Sequence, residues 1–252
     1  MCELFGMNAA QATDVNHSLA LLRPRGGEIG PHADGWGVAF YESRAARIFK
    51  EPVPAAESRC LAFISEYDFK STIVIAHIRN ANPSRIGRAS ANTHPFEREF
   101  AGRSWVFAHN GKLARQRGDT RPAPRRFNPI GETDSEKAFC LLLDAIAARG
   151  GSADLAPGRL VEAIEPVVRQ LTKRGEFNFM LSNGEHLIAH AHTRLHALHR
   201  TCAEEGCPQD VFLLATTPLT DEPWSALPPG TLLVLTRGME VVGHTMNLPA
   251  AA

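Results

Sequence analysis

In Met1-Cys2-Glu3-Leu4-Phe5-Gly6-Met7 an apolar strand-like run, Leu4 to Met7, starts two residues after a cysteine at position 2. Removal of Met1 before the small Cys2 would place a thiol and a free α-amine on one residue. An α-amine has a pKa of about 7.7 to 8.0 against about 10.4 for lysine, so near neutrality it is the better proton acceptor. A nucleophile activated by its own terminal amine is an established route to acyl transfer and requires no separate histidine. The competing reading is that Cys2 is a small buried hydrophobe at the start of a strand.

Further along, strand-like runs recur at Trp36 to Tyr41, Ala46 to Lys50, Ile73 to Ile78, Trp105 to Ala108, Phe177 to Leu181, Leu187 to Ala191, Val211 to Ala215 and Thr231 to Leu235. Short polar connections such as Glu42 to Ala45 and Ser182 to His186 suit hairpins, and therefore antiparallel sheet. Helical spacing marks Asp134 to Ala148 and Arg159 to Lys173, the latter stopped by Gly175, with further helices expected at Ala56 to Glu66 and near Val15 to Leu22. Helices between groups of hairpins predict a layered α+β fold rather than alternating βαβ units. Gly111 to Pro129, rich in Arg, Pro and Gly, reads as a surface loop that could cover a site.

Composition narrows the function classes. Of the 252 residues, 44% are apolar and 21% charged, enough for a packed core. The 27 basic and 27 acidic side chains cancel without long runs, which argues against nucleic acid or an anionic membrane as partner. No apolar stretch reaches the roughly 18 residues of a spanning helix, and the N-terminus lacks a secretory pattern, so a cytoplasmic chain is expected. Five scattered cysteines fit reduced thiols rather than a disulfide framework.

Three motifs supply parts that a thiol nucleophile would need. The β-branched run Ile73 to Ile78 ends in Arg79, whose guanidinium suits a substrate carboxylate, although an ordinary surface ion pair would place an arginine there too. The apolar run Trp105-Val106-Phe107-Ala108 breaks into His109-Asn110-Gly111, and an Asn amide beside a Gly N–H can stabilise a tetrahedral oxyanion; Asn-Gly is also a common turn. In Gly131-Glu132-Thr133-Asp134-Ser135-Glu136, Thr133 and Glu136 form a capping box, while Asp134 either opposes the helix dipole or meets a substrate ammonium.

In combination these segments resemble the class II glutamine amidotransferases of the N-terminal nucleophile hydrolase superfamily. The resemblance rests on Cys2 to Gly6, Ala76-His77-Ile78-Arg79, Asn92-Thr93-His94-Pro95-Phe96, Ala108 to Gly111 and Glu132 to Glu136, all in the family's order. Asp34-Gly35-Trp36-Gly37, Thr217-Pro218-Leu219-Thr220 and Glu222-Pro223-Trp224 are similar to the stand-alone YafJ-like branch. The resemblance implies a four-layer αββα sandwich of two antiparallel sheets flanked by helices, with residues 1–252 forming one amidotransferase-like domain. It implies Cys2 as nucleophile, Asn110 and Gly111 as oxyanion hole, and Arg79, Asp134 and His94 as substrate-binding residues. Arg79 would take the α-carboxylate and Asp134 the α-ammonium of glutamine or a γ-glutamyl amide. No cofactor and no metal are implied.

Two departures bear on the substrate. The amidotransferase-like part fills the chain, so an ammonia-accepting synthase would be a separate partner. Asn80-Ala81-Asn82-Pro83 follows Arg79 where glutamine-using relatives commonly carry a Thr near position 82, which brings other γ-glutamyl amides into consideration. His94 and His109 are expected to support the pocket by hydrogen bonds. A different class of function would be a non-catalytic module that binds an amino-acid-like ligand. A third would be a metal-binding protein built on His186, His190, His192, His196 and His199 with Cys202 and Cys207, although zinc-finger spacing is absent and a turn near Thr193 and Arg194 would scatter the set.

Overall fold

The computed structural model describes residues 2–80, 87–114, 126–150, 155–202 and 209–248. Met1, Asn82, Pro83, Cys207, the middle of the Gly111 to Pro129 loop and the Cys202 side chain lie outside the described residues.

Thirteen strands and four helices are ordered along the chain as β1 (Glu3–Thr13), α1 (Asn16–Leu22), β2 (Gly35–Glu42), β3 (Ala45–Glu51), α2 (Arg59–Glu66), β4 (Ser71–Arg79), β5 (Phe96–Phe100) and β6 (Arg103–Asn110), followed by α3 (Asp134–Ala148), α4 (Pro157–Thr172), β7 (Asn178–Ser182), β8 (Leu187–Ala191), β9 (His196–Cys202), β10 (Gln209–Ala215), β11 (Ser225–Ala226), β12 (Thr231–Thr236) and β13 (Met239–Thr245), counted among the described residues. They form a seven-stranded sheet, β11-β9-β10-β1-β4-β2-β3, and a six-stranded sheet, β13-β12-β8-β7-β6-β5. Every pairing is antiparallel, as the hairpin spacing predicts.

Alternation along the strands explains the layers. On β1, Leu4 joins Ile73, Ile75, Val106, Ala108 and Met180 in the apolar layer between the sheets. Its neighbours Phe5 and Met7 point the other way, into a core with Leu19 of α1 and Leu61 and Ile64 of α2. On the far side, Phe107, Phe179 and Leu181 pack against Phe139, Leu142 and Leu143 of α3 and Leu160 and Ile164 of α4. The order is helix, sheet, sheet, helix: the expected αββα sandwich.

The helix α3 has the bounds that its periodicity predicts. Thr133 caps it, its hydroxyl accepting the Glu136 N–H at 3.1 Å. The cap contributes about 1 kcal/mol, whereas each buried Leu, Ile or Phe contributes about 1.5–3 kcal/mol, so burial of its apolar face dominates. The capping box is only half formed. The Glu136 carboxylate turns back to accept the N–H groups of Ile130 at 2.9 Å and Gly131 at 2.6 Å instead of that of Thr133. The helix expected from Ala56 begins later, at Arg59, because Ser58 accepts the Leu61 N–H at 2.9 Å and fixes the start there.

Gly37 on β2 shows how the fold admits the segment before β5. A Cβ at this position would lie 2.2 Å from the His94 carbonyl oxygen and 2.9 Å from Pro95 Cδ. Only a hydrogen lets that chain approach the sheet so closely. Gly37→Ala should therefore lower stability by about 1–3 kcal/mol, the usual cost of overpacking, measured as a lower urea midpoint. An unchanged midpoint would mean that this approach is not tightly constrained.

Candidate active site

Cys2 precedes β1, which is an interior strand between β10 and β4. Glu3 pairs with Ile78, so antiparallel register carries Cys2 opposite Arg79 at the end of β4. The Cys2 thiol is half-buried and lies against the Asn80 backbone: the Asn80 N–H donates to Sγ at 3.3 Å, and the thiol faces the Asn80 carbonyl at 3.6 Å. Burial pushes the thiol pKa up; the Asn80 N–H and the Arg79 charge act against it, and Asp134 adds to it. Predominantly a neutral thiol, it needs a base. Arg79 is buried, and its Nη1 donates to the Asp34 carbonyl at 3.4 Å while its own carbonyl accepts the Asp34 N–H at 3.2 Å.

The facing sheet contributes Asn110 at the end of β6. Asn110 Nδ2 donates to Thr216 Oγ1 at 3.2 Å, and the same hydroxyl oxygen accepts the Leu4 N–H at 2.9 Å. One hydroxyl thus joins the strand behind Cys2 to the amide on the opposite sheet. The Asn110 backbone is held as well, since Asn178 Nδ2 donates to its carbonyl at 3.1 Å. Asn178 Oδ1 accepts three successive N–H groups, from His192, Thr193 and Arg194, at 2.8, 2.9 and 3.1 Å. Gly111 takes φ +148°, and a Cβ there would stand 2.1 Å from the Glu176 carbonyl oxygen, so the turn out of β6 requires glycine.

Asp134, the first residue of α3, is tied down on both oxygens: Oδ2 accepts the Leu113 N–H at 2.7 Å and Oδ1 the Ser135 N–H at 3.0 Å. A carboxylate retains further lone pairs for an ammonium. The loop before it is shaped by Asn92 Oδ1, which accepts the Glu132 N–H at 2.9 Å, and by buried Glu136, which pairs with Arg98 at 2.5 Å.

Three buried histidines lie behind these groups. His77 Nε2 donates to the His109 carbonyl at 3.2 Å, a link between the sheets one residue from Asn110. His109 donates from Nε2 to the Glu176 carbonyl at 3.0 Å, which leaves Nδ1 to accept from the Ser135 hydroxyl at 2.8 Å. His94 packs against His77 with ring centroids 4.1 Å apart and the rings tilted by 38°, and neither of its nitrogens has a hydrogen-bond partner among the described residues. His109 thus bonds as the sequence suggests, whereas His94 packs. Burial lowers the pKa of all three, His77 to about 3, so they are neutral at physiological pH and poorly suited to act as bases.

The other histidines do not converge. After β8 the chain turns at Thr193 and Arg194 and changes sheet, which sends His186 and His190 to one sheet and His196 and His199 to the other. Among the described residues no three His, Cys, Asp or Glu side chains are arranged to hold a metal ion. Thr216 and Asn178 shape the site although no motif marks them, and Glu136, expected as the capping-box partner of Thr133, also holds the loop before Asp134. Thr216 and Asn178 follow or begin apolar runs, and only their partners, 212 and 68 positions away, give them meaning.

Comparison with known proteins gives the family and the fold. The family described as glutamine amidotransferases class-II matches residues 1–207. The chain belongs to that family. Among its relatives is the putative glutamine amidotransferase YafJ of Escherichia coli (strain K12), 38% identical over 260 residues that cover 96% of this chain and 100% of the relative. A predicted glutamine amidotransferase from Pseudomonas aeruginosa PA01 superposes with TM-score 0.75 at 34% identity, covering 96% of this chain and 100% of the other. The fold extends to the glutamine phosphoribosylpyrophosphate amidotransferase of B. subtilis, TM-score 0.67 at 18% identity, which this chain covers over 50% of its length. The αββα sandwich is therefore a fold that this chain shares with glutamine amidotransferases. Among the described residues no helix of this amidotransferase is long and apolar enough to cross a membrane.

Proposed function

We propose that the protein hydrolyses the γ-amide of glutamine or of a related γ-glutamyl amide through a thioester on Cys2, with residues 1–252 acting as one domain in the cytoplasm. The observation that supports this most directly is the Thr216 hydroxyl, shared between the Leu4 N–H and the Asn110 amide. It couples the strand of a half-buried thiol to a candidate oxyanion donor on the other sheet.

After Met1 is removed, the Cys2 α-amine takes the thiol proton as sulfur attacks the γ-carbonyl. Asn110 Nδ2 and the Gly111 N–H receive the oxyanion. Collapse of the tetrahedral intermediate breaks the C–N bond, and the α-ammonium returns its proton to the departing ammonia or amine. Water, activated by the same amine, attacks the thioester and releases the γ-carboxylate with the thiol restored. Arg79 holds the α-carboxylate and Asp134 the α-ammonium; His94 backs the binding side. The ammonia either leaves or passes to a separate synthase.

The direct test is mass spectrometry after incubation with a glutamine-like diazo-ketone, together with a turnover screen of γ-glutamyl amides. One equivalent attached to a chain beginning at Cys2 is the expected result. A retained Met1 with no adduct and no turnover would favour the non-catalytic binder. Arg79→Ala should raise KM for glutamine about 10- to 100-fold, in line with roughly 1.5–3 kcal/mol for hydrogen bonds to a charged group. The same variant should lose discrimination between glutamine and 4-aminobutanamide, which lacks the α-carboxylate; preserved discrimination would remove Arg79 from that role.

A further inference from the structure

Thr216 follows β10, is fully buried, and stands where the two sheets meet behind Cys2. Its backbone N–H donates to the Leu4 carbonyl at 3.0 Å, and its Oγ1 accepts the Leu4 N–H at 2.9 Å. The residue is thereby fastened at two points to β1, two positions from the thiol. Its hydroxyl then reaches across to the Asn110 side chain at 3.2 Å. Among the described residues this is the one hydrogen bond of the Asn110 amide, whose Oδ1 is buried and without a partner.

An Asn side chain offers a donor end and an acceptor end that exchange places on rotation about the last torsion. An oxyanion hole needs the amide fixed before charge develops. In the orientation that the structure shows, the hydroxyl oxygen accepts one amide hydrogen and leaves the other for the substrate. Valine at this position would fill the space but hold neither end.

We infer that Thr216 is a positioning residue: it orients the Asn110 amide toward the carbonyl attacked by Cys2 and sets the spacing of the two sheets at the reacting atoms. The inference rests on the Cys2 thioester reading. Thr216 touches no substrate, and it acts through Asn110.

The experiment uses Met1-processed protein with glutamine as probe and ammonia release as readout. Thr216→Val should lower kcat on the order of 10- to 100-fold, somewhat less than deletion of an oxyanion donor, with KM within about twofold of the parent. Alkylation of Cys2 by iodoacetamide, which forms no oxyanion, should proceed at the parent rate. Thr216→Ser should restore kcat to within about threefold, and T216V added to N110A should cost nothing further. Parent-like kcat in T216V, a parallel loss of alkylation, failure of serine to rescue, or an undiminished T216V effect in the N110A background would each overturn the assignment. Should T216V not fold, T216A and T216S replace it in the same cycle. Equal turnover by C2A, or none by the parent protein, would instead sink the thioester reading and Thr216's role with it.

Discussion

Cys2→Ala is expected to reduce glutamine or γ-glutamyl amide turnover by about 10⁴-fold or more, the scale on which removal of a covalent nucleophile usually falls. Alanine keeps most of the packing at the head of β1 but removes the sulfur, so the fold should persist while the thioester becomes impossible. The raised thiol pKa sharpens this expectation. Because burial outweighs the help from Asn80 and Arg79, little thiolate exists at neutral pH, and attack depends on removal of the proton by the terminal amine. Turnover should accordingly rise with pH as that amine loses its proton, through about 7.7 to 8.0. Direct alkylation of the thiol should keep climbing beyond the ordinary thiol range. Ammonia release measured for both proteins from pH 6 to 10 decides the matter: a C2A profile that overlays the parent's would end the proposal.

The largest expected effect on stability is at Glu136, whose carboxylate is 1% exposed and accepts from Arg98, Ile130 and Gly131. Arg98 is itself only 16% exposed and keeps the Glu97 and Asn128 carbonyls as acceptors, but Glu136→Ala removes its carboxylate partner and leaves the Ile130 and Gly131 N–H groups without their acceptor. Loss of one partner of a buried pair costs about 3–5 kcal/mol, against about 0–1 kcal/mol for a surface pair. Urea unfolding should register a loss of that size, with Glu136→Gln falling between. A loss below about 1 kcal/mol would mean that the loop before α3 finds another way to satisfy those groups. The same substitution should weaken substrate binding, since that loop carries Asp134 into place.

Much of this was legible in the residues themselves. Strands such as β4 and β12 are written as β-branched and leucine-rich runs, and α3 is written twice, in its cap and in its period. By contrast β5 reads Phe96-Glu97-Arg98-Glu99-Phe100, with three charged residues between two buried phenylalanines, and β9 carries His196, His199 and Arg200; neither has the composition that marks a strand. β13 is an exposed edge strand with Gly243 inside it. Their strand character comes from partners across the ladder. At the site, Cys2, Arg79, Asn110 and Asp134 stood out because each sits where an apolar run breaks or a helix begins. Thr216 and Asn178 did not: a threonine after Ala215 looks like any other until Leu4 and Asn110 come to meet it. His94 marks the opposite limit, a residue legible by motif whose surroundings are rings rather than hydrogen bonds.

Cys2 stands immediately before a strand that occupies the middle of its sheet, and the neighbouring β10 begins only at Gln209. Every residue assigned to the chemistry has been translated by Asp134, but none of them can be assembled until some eighty more have followed, because closing the ladder beside β1 brings Leu4 and Thr216 together across 212 positions. Such long-range closure is entropically slow. A chain cut short between Asp134 and that threonine would contain the whole proposed catalytic inventory and no working pocket.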